Sequence, residues 1–419
     1  MPGSETRPAW AVRLRVEREE RLWDIAEMAR QLRHTAGNAR LPDIETVSRM
    51  IKKWESGKHL PGERYQLLYS RALGIARTVL FETAPYQAQS VQEPVDVAGV
   101  ADEIARMGAW AESSNVGEHT LAYHNDAVRR LARDYLQQPP LLILQRTATL
   151  AREVFRLLQN GHQRLDQTRE LLITTAKICA LMSWISGDLG QPAAAETHAG
   201  TAWGLAHQAG DPAAQALALS TRSKLAFWDG RLELAAQLAR HGYDLSVNDT
   251  MKVFLACQEA DAWQALGDIP RAREALRNAE AARENIDQPD SVGGVFSCGV
   301  ARQCNYTAGV HLRAADPDGA LRQTERGLDA YSHGEEWAYG TWGQIHIGMA
   351  MARIAKQQLD GAASALRPVL GLPAEQRLST LATRLSHLGR VLEGPRFQTS
   401  TEARTLRSEI REYRAITAS

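Results

Sequence analysis

Cationic and hydroxyl side chains are concentrated in one short stretch of the chain, residues 41–61. Its large apolar side chains recur at spacings of three and four, which predicts a helix with one buried stripe. That stripe consists of Val47, Met50, Ile51 and Trp54. The polar side chains lie on the other faces of the helix or directly after it; they are Ser48, Arg49, Lys52, Lys53, Lys58 and His59. Cations suit phosphates, and short polar or Arg side chains suit base edges, so the pattern indicates contact with a DNA groove.

The ends of this predicted helix are marked by residues with known preferences. Pro42 disfavours the helical conformation at Leu41, and the Asp43 carboxylate is expected to cap the free backbone N–H groups that follow. Gly57 is expected to end the helix in a left-handed conformation, and Pro61 prevents its resumption. Taken alone, the same pattern also fits an ordinary surface helix with a solvated charged face.

A second group of polar side chains recurs along the C-terminal part of the chain. Turn sequences rich in Gly and Asp are each followed by a small residue, and these residues are Ala195, Ala235, Ala272, Ala320 and Ala362. The positions 18, 15 and 11 residues before each alanine share one face of a predicted helix, because they are spaced by three and four. A face made only for a core would not hold Lys177, Lys224 and Asp261 in register. We therefore expect a binding surface, with a plain solvated groove as the alternative.

This predicted face carries cations, one carboxylate, amides and a few large apolar groups. Its residues are Lys177, Ala180, Trp184, Leu217, Ser220, Lys224, Phe254, Cys257, Asp261, Arg302, Asn305, Gly309, Gln344, Ile347 and Met351. The predicted effector site consists of Lys177, Trp184, Lys224, Trp228, Asp261, Arg302, Asn305, Trp342 and Gln344. Arg and amide groups suit an extended peptide backbone or a polar small molecule. Trp337, Tyr339 and Trp342 form an aromatic cluster that is more typical of packing between helices than of ligand contact.

No constellation of residues for catalysis is recognisable. The chain has no phosphate-binding loop and no G-x-G-x-x-G, G-x-S-x-G or H-E-x-x-H motif. Cys298 and Cys304 are six residues apart, which does not place them on one helical face, and His119 and His124 miss the spacing of four by one residue. We therefore expect a protein that is not an enzyme and that uses no cofactor or metal.

The composition is that of a globular protein with two or three domains. A chain of 419 residues is too long for one ordinary core, and 44% hydrophobic with 23% charged residues suits a soluble protein. No apolar run approaches the length of a membrane span, the N-terminus lacks the apolar run of a signal peptide, and four Cys without metal spacing suggest a reducing compartment. These features predict a cytoplasmic protein without membrane contact.

The formal net charge of zero hides an asymmetry between the two ends of the chain. Residues 1–80 carry 15 Lys and Arg against 10 Asp and Glu, whereas the remainder carries 34 against 39. A basic N-terminal head on an acidic body favours binding of nucleic acid by the head.

Four or five short helices are predicted in this head. The first covers residues 10–21, with Val12, Leu14 and Val16 near its buried side. Asp24 is expected to cap the second helix, which is followed by a polar break at residues 33–40. The third is the cationic helix described above, and a fourth covers residues 62–74 and closes at Gly74.

Several residues of the head match a known pattern: Leu14, Asp24, Met28, Ala29, Leu32, the run IKKWESG at 51–57, Pro61 and the run ALG at 72–74. They resemble the XRE/Cro-type helix-turn-helix regulators. The chain departs from that pattern by about ten extra residues between the second and third helices. The resemblance implies that Ser48, Arg49, Lys52 and Lys53 contact DNA, with Lys58 and His59 near the phosphates.

The turn-plus-alanine units of the body repeat at intervals of 40, 37, 48 and 42 residues. Each unit is expected to hold two helices of some 12–18 residues, because a small residue lets the second helix pack closely against the first. The runs WDGRLELA at 228–235 and LGDIPRA at 266–272 resemble tetratricopeptide (TPR) repeats, although the units are longer than that family's 34 residues. The resemblance implies an α-solenoid, and the alternative is an irregular all-α bundle.

The sequence thus predicts an all-α fold with an N-terminal helix-turn-helix domain followed by a TPR-like α-solenoid. The predicted segments are an XRE-type DNA-binding domain at 1–80, a linker at 81–100, a helical linker or dimerisation region at 101–165, a TPR-like sensor domain at 166–395 and a C-terminal capping helix at 396–419. Terminal repeats need such a cap because the outer face of the stack must be polar.

Proteins that join an XRE-type head to a TPR sensor include peptide receptors, and the Ala- and Arg-rich composition fits a high-GC bacterial source. The resemblance implies a ligand-responsive transcription regulator that binds a double-stranded DNA operator as a homodimer. Its effector would be a peptide or a small signalling molecule. The competing interpretation is a TPR protein-interaction scaffold whose helix-turn-helix module is degenerate.

Overall fold

The computed structural model describes residues 7–37, 41–82 and 97–417. Within these ranges the chain forms helices and connecting loops but no β-strand, which confirms the predicted all-α class. The chain divides into two compact units, Met1–Glu103 and Ile104–Ser419. None of the helices described here has both the length and the apolar character needed to cross a lipid bilayer.

The described part of the first unit is built around one small core. Its helices are α1 (Ala9–Glu20), α2 (Ile25–Ala36), α3 (Ile44–Glu55), α4 (Glu63–Leu73) and α5 (Arg77–Leu80). The apolar stripe of α3 lies in this core as predicted: Val47 and Ile51 are fully buried and Trp54 nearly so, while Met50 is half-buried. The Trp54 ring packs against Tyr65 of α4, with ring centroids 4.8 Å apart.

The ends of these helices carry the expected capping groups. The Asp24 carboxylate accepts a hydrogen bond from the backbone N–H of Glu27, and that of Asp43 accepts one from Thr46. Gly57 adopts the left-handed conformation with φ of 80°. A Cβ atom at Gly57 would lie only 2.6 Å from the Cδ atom of Pro8, so this close approach of the backbone after α3 also requires glycine.

The buried face of α1 differs from the prediction. Val12 is exposed and Val16 is only half-buried, whereas α1 turns Arg13 and Arg18 into the core. Arg18 is accommodated there because the buried carboxylate of Glu55 on α3 accepts two of its hydrogen bonds, at 2.7 and 2.9 Å. A search of the sequence for apolar stripes does not predict this face, because Arg18 is compensated by Glu55, which is 37 positions away.

The connection between α2 and α3 is also shorter than predicted. The stretch 33–40 was expected to be a polar break, yet α2 continues to Ala36 with Arg33 and His34 on its exposed side. Only residues 37–43 remain to join the two helices, and 38–40 lie outside the described residues. The Arg33 guanidinium donates to the carbonyl of Pro42, which ties the end of α2 to the start of α3.

Three helices cover the region 101–165 that was predicted to be helical, and the first of them spans the boundary between the two units. They are α6 (Val97–Glu112), α7 (Glu118–Asp134) and α8 (Pro140–Asn160). Helix α6 starts inside the stretch 81–100 that was predicted as a linker, and residues 83–96 of that stretch lie outside the described residues. Helices α7 and α8 pack against each other and against the next helix, α9.

Five helix pairs follow in chain order. They are α9 (Leu165–Asp188) with α10 (Pro192–Ala209), α11 (Pro212–Trp228) with α12 (Leu232–Leu245), α13 (Thr250–Leu266) with α14 (Ile269–Glu284), α15 (Val300–Arg313) with α16 (Pro317–Ser332), and α17 (Tyr339–Ala355) with α18 (Leu359–Leu370). The five alanines predicted to lie close to a partner helix are all fully buried: Ala195, Ala235, Ala272, Ala320 and Ala362. The predicted length of 12–18 residues holds for these helices except α9, which has 24 residues.

The last helices of the unit are α19 (Ser379–Val391) and α20 (Thr401–Thr417). Helix α20 buries Ala403, Leu406 and Ile410 against the preceding helices. Helix α19 contacts α9, because the hydroxyl of Ser379 donates to the carbonyl of Gly187 at 3.0 Å although the two residues are 192 positions apart. The start of α17 similarly lies against the residues that follow α7. These contacts close off the space between the inner faces of the first helices of the pairs.

Candidate functional site

The first candidate site is the outward face of α3. Arg49, Lys52 and Lys53 are exposed on this face, and Ser48 is half-buried beside them. Lys58 and His59 are exposed in the turn that follows Gly57. The six residues predicted to contact DNA therefore lie on one helix and its C-terminal turn, on the side opposite the buried stripe.

The cations of α3 are not consumed by contacts within the head. Among the described residues, no carboxylate forms a salt bridge with Arg49, Lys52, Lys53 or Lys58; the one polar contact of Arg49 is a long hydrogen bond of 3.4 Å to the hydroxyl of Thr46. One acidic residue, Glu45, is exposed in the first turn of the same helix. The face as a whole therefore presents a net positive charge to solvent.

The second candidate site is a partly open cavity in the second unit, with a volume of about 80 Å³. Side chains from the first helix of each pair line it, together with residues that follow α7 and residues from the start of α19. Its charged members are Asp188, Lys224, Asp261, Arg302 and Arg384. Aromatic rings form much of the remaining wall, namely Tyr135, Trp184, Phe227, Trp228, Phe254, Tyr306 and Tyr339.

Lys224 and Asp188 form a buried ion pair on one side of the cavity. The Lys224 ammonium donates to Asp188 at 2.9 Å and to the Trp184 carbonyl at 3.1 Å, and it lies 3.8 Å from the centre of the Trp184 ring. Burial lowers the pKa of Lys224 to about 8, and the Asp188 carboxylate opposes that shift. Tyr135 donates to the other Asp188 oxygen at 2.6 Å. Thr380 lies 3.5 Å from Asp188, so this carboxylate is satisfied from three directions.

Arg302 is a cation of the cavity without a carboxylate partner. Its Nη1 donates to the backbone carbonyls of Val295 and Ser297 at 2.6 and 2.8 Å, and its Nε lies 3.4 Å from the Thr341 hydroxyl. The guanidinium stands 4.8 Å from the centre of the Phe254 ring. Within the described residues no salt bridge involves Arg302, and its Nη2 makes no hydrogen bond. The backbone carbonyls therefore fix the position of a charge that they do not neutralise.

Asp261 and Arg384 lie on the opposite side, at 3.6 Å from each other. Burial raises the pKa of the Asp261 carboxyl above its ordinary value, and the Arg384 guanidinium partly offsets that rise. Gln264 donates to Asp261 at 2.9 Å. Arg384 and Trp228 also line a neighbouring open groove of about 510 Å³, so these two side chains separate the groove from the cavity.

The amides of the cavity differ in how far they are satisfied. Both ends of the Gln258 amide bind Ser220, at 2.8 Å to its hydroxyl and 3.1 Å to its carbonyl. Asn305 donates to the Gln344 carbonyl oxygen at 3.0 Å, which leaves the Gln344 NH₂ group without a partner among the described residues. Gln344 therefore offers a hydrogen-bond donor to the cavity.

Tyr339 lines the cavity and also belongs to the core formed with α18 to α20. Only 1% of this residue is exposed, and its buried hydroxyl has no hydrogen-bond partner in the described part of the chain. Because the hydroxyl itself is closed off from the cavity space, it is an unsatisfied group of the core and not a donor that an occupant reaches. Burial raises the pKa of Tyr339, and the nearby Asp188 carboxylate adds to the rise, so the hydroxyl keeps its proton.

Seven of the nine side chains predicted to bind an effector line this one cavity. They are Trp184, Lys224, Trp228, Asp261, Arg302, Asn305 and Gln344. Lys177 does not line it, because its ammonium is buried against α7, where it donates to Asn125 at 3.2 Å. Trp342 does not line it either; its ring packs on His346 and against the core formed with α18 to α20.

Other cavity residues were not predicted from the sequence. Asp188 belongs to one of the predicted turn sequences and was not assigned to the effector site. Arg384 lies on α19, outside the repeated units. Tyr339 was assigned to an aromatic cluster that packs between helices. It does pack in the core with α18 to α20, as does Trp342 at its edge, and Tyr339 also lines the cavity. The predicted turn could have drawn attention to Asp188, and the aromatic cluster to Tyr339. No sequence pattern indicates Arg384.

The described residues contain no group of His, Cys, Asp and Glu arranged to hold a metal ion. The four cysteines are buried and unpaired. Burial raises the pKa of the Cys179 and Cys304 thiols to about 11, so both remain protonated at neutral pH.

No protein-family model matches this chain, and no curated protein matches it significantly. Among solved structures, the chain is similar to one titled "Crystal structure of BtubC (BKLC) from P. vanneervenii". The TM-score is 0.40 and the sequence identity is 16%, with 54% of this chain and 87% of that chain covered. A similarity of this extent identifies neither a family nor an activity.

Proposed function

We propose that this protein is a transcription regulator that binds a double-stranded DNA operator through α3. The observation that carries the proposal is the outward face of α3, where Arg49, Lys52 and Lys53 are exposed and form no salt bridge with any residue that the structure describes. Cations at fixed positions on a short rigid helix suit phosphates and base edges of the major groove. In this proposal α2 and α3 act as an XRE-type helix-turn-helix with α3 as the recognition helix.

The second unit is the proposed sensor. Its five helix pairs would act as a TPR-like α-solenoid, and the cavity lined by Lys224, Asp261 and Arg302 would hold the effector. A concave site with aromatic walls and a few convergent polar groups is the usual form of a small-ligand site. Such a ligand changes DNA binding only if it favours one state of the protein over another.

We expect the regulator to act as a homodimer in the cytoplasm and to catalyse no reaction. Small helix-turn-helix domains usually read paired half-sites, and a dimer supplies the two copies. The candidates for the dimer contacts are the region 101–165, which lies between the head and the helix pairs in the sequence, and the C-terminal helix.

The proposal is tested by fluorescence anisotropy with a labelled duplex that carries the promoter of the protein's own gene. We expect Arg49→Ala and Lys53→Ala to weaken specific binding about 10-fold or more while the far-ultraviolet circular dichroism stays unchanged. Arg71→Ala, which removes an exposed cation of α4, is the matched control and should bind like wild type.

Salt dependence separates DNA recognition from a scaffold role. Binding through phosphates should weaken steeply as the salt concentration rises, and each phosphate contact removed should lower that slope by about one. If Arg49→Ala and Lys53→Ala both bind DNA like wild type, or if wild type shows no salt-dependent binding, α3 is not the DNA-binding element.

A further inference from the structure

We propose that the cavity binds a small organic monocarboxylate, whose carboxylate pairs with Arg302 and whose apolar part lies among the aromatic rings. The binding site is inferred from the cavity alone. Its identification as the effector site rests on the function proposed above.

The charge balance of the cavity calls for one negative charge. Three cations line it, namely Lys224, Arg302 and Arg384, against the two carboxylates Asp188 and Asp261. Lys224 is paired with Asp188, and Arg384 lies near Asp261. Arg302 is left with carbonyl oxygens, which accept its hydrogen bonds without neutralising it. Arg302 is half-buried, and a single carboxylate on the occupant would neutralise this one cation of the cavity that has no carboxylate partner among the described residues.

Two groups of the cavity that form no hydrogen bond in the described part of the chain are donors, and a carboxylate is an acceptor. Arg302 Nη2 and the Gln344 NH₂ group are donors without a partner among the described residues, and both residues line the cavity. A carboxylate has two oxygens and about four lone-pair positions, and so can accept from several donors at once. Hydrogen bonds to an ionised acceptor are roughly twice as strong as those between neutral groups.

The size of the cavity restricts the occupant further. A volume of about 80 Å³ holds on the order of six non-hydrogen atoms, at ~10–15 Å³ for each water-sized group. This space is too small to hold an extended peptide of several residues. The rings of Trp184 and Phe254, whose centroids are 5.7 Å apart, form a wall suited to a short hydrocarbon chain or small ring.

The probes are butyrate, its neutral isostere butyramide, inorganic phosphate and tetra-alanine. Each is added to the full-length protein, and binding is measured by the shift in melting temperature and by titration calorimetry. We expect butyrate to bind and to raise the melting temperature, and butyramide to bind at least about 10-fold more weakly because it lacks the charge. Equal binding of butyramide, or a failure of butyrate to bind, overturns the proposal.

The other two probes report on competing occupants. Phosphate binding in preference to butyrate would identify an inorganic oxyanion site and overturn the assignment to a carboxylate. Tetra-alanine binding in preference to butyrate would place a peptide in the cavity or the adjoining groove, and would overturn it as well.

Two variants assign the interaction to residues. Arg302→Gln should weaken butyrate binding about 10- to 100-fold, whereas Arg326→Gln, at an exposed arginine of α16, should leave it unchanged. Because Arg302 also holds the loop before α15, Gln344→Glu serves as the second variant. It keeps the oxygen that accepts from Asn305 and removes the NH₂ donor, so the fold should keep its stability while butyrate binding weakens at least about 5-fold.

The outcome separates this inference from the proposed function. A protein that binds butyrate through Arg302 but does not bind DNA has the ligand site and is not a regulator of transcription. A protein that binds its promoter through Arg49 but binds no carboxylate is a regulator without this ligand.

Discussion

The ammonium of Lys224 on α11 donates to the carboxylate of Asp188 at the end of α9 across 2.9 Å, and both side chains are buried. Tyr135 and Thr380 reach the same carboxylate from the end of α7 and from α19. One buried charge thus connects four segments of the second unit. Such a pair adds little net stability, but the loss of one partner leaves the other as an uncompensated charge in a low-dielectric environment.

Replacement of Lys224 by Met should therefore destabilise the second unit. We expect Lys224→Met to lower its free energy of unfolding by about 3–5 kcal/mol, measured by urea denaturation of the full chain followed by tryptophan fluorescence. Lys356→Met is the matched control, since Lys356 pairs with Asp318 on the surface and its loss should cost less than about 1 kcal/mol. Equal effects of the two variants would show that the Lys224 charge is not buried in solution.

The same lysine should make stability depend on pH in the alkaline range. Burial lowers the pKa of Lys224 from 10.5 to about 8 in the folded protein. Between these two values the unfolded chain binds a proton that the folded chain has released, so the free energy of unfolding rises with pH, by at most about 1.4 kcal/mol per pH unit from this group. We expect the difference in unfolding free energy between wild type and Lys224→Met to increase over this range. A difference that falls with pH contradicts the assignment.

In the head, the ion pair of Arg18 with Glu55 should stabilise the position of α3. The side chains of both residues are less than a tenth exposed. Glu55→Gln removes the charge that compensates Arg18 and should cost about 3 kcal/mol, visible as a lower melting temperature and as loss of DNA binding at temperatures that wild type tolerates. Glu19→Gln removes an exposed partner of the same arginine and should have no measurable effect.

Gly57 provides a test of backbone geometry beside the proposed DNA-binding face. Gly57→Ala would place a Cβ atom in a left-handed conformation and 2.6 Å from the ring of Pro8, so we expect a loss of about 1–3 kcal/mol in stability. At Gly62 a Cβ atom meets nothing within 4 Å and φ is −63°, so Gly62→Ala should cost only a few tenths of a kcal/mol. Similar losses at both positions would contradict the strained turn after α3.

The features of the head that the sequence predicted depend on neighbouring residues. Asp24 and Asp43 cap helices through backbone groups three positions away, and Gly57 and Gly74 take the left-handed conformation at helix ends, so each signal is complete within one turn. The burial of Arg18 depends on Glu55, which is 37 positions away. No periodic pattern shows such a pair, and Val12 was placed in the core for that reason.

The cavity shows the same division between local and distant information. Helical spacing predicted that Trp184, Lys224 and Arg302 share an inner face, because register within a helix follows from counting. Lys177 was assigned to that face as well, but α7 packs against α9 at this residue, where Lys177 donates to Asn125. The approach of α19 to α9, which brings Arg384 to Asp261, depends on the accumulated curvature of all the intervening helices, and counting residues does not reveal it.

Because Ser379 of α19 contacts Gly187 of α9, the cavity is completed late in the synthesis of the chain. All five helix pairs are synthesised before α19, so the wall that carries Asp188 lacks α19 during most of translation. The cavity closes only when α19 reaches α9. Messages truncated after Leu370 would therefore yield chains that contain every helix pair but lack the segment that seals the pocket, and such products would be accessible to proteases at the Asp188 end.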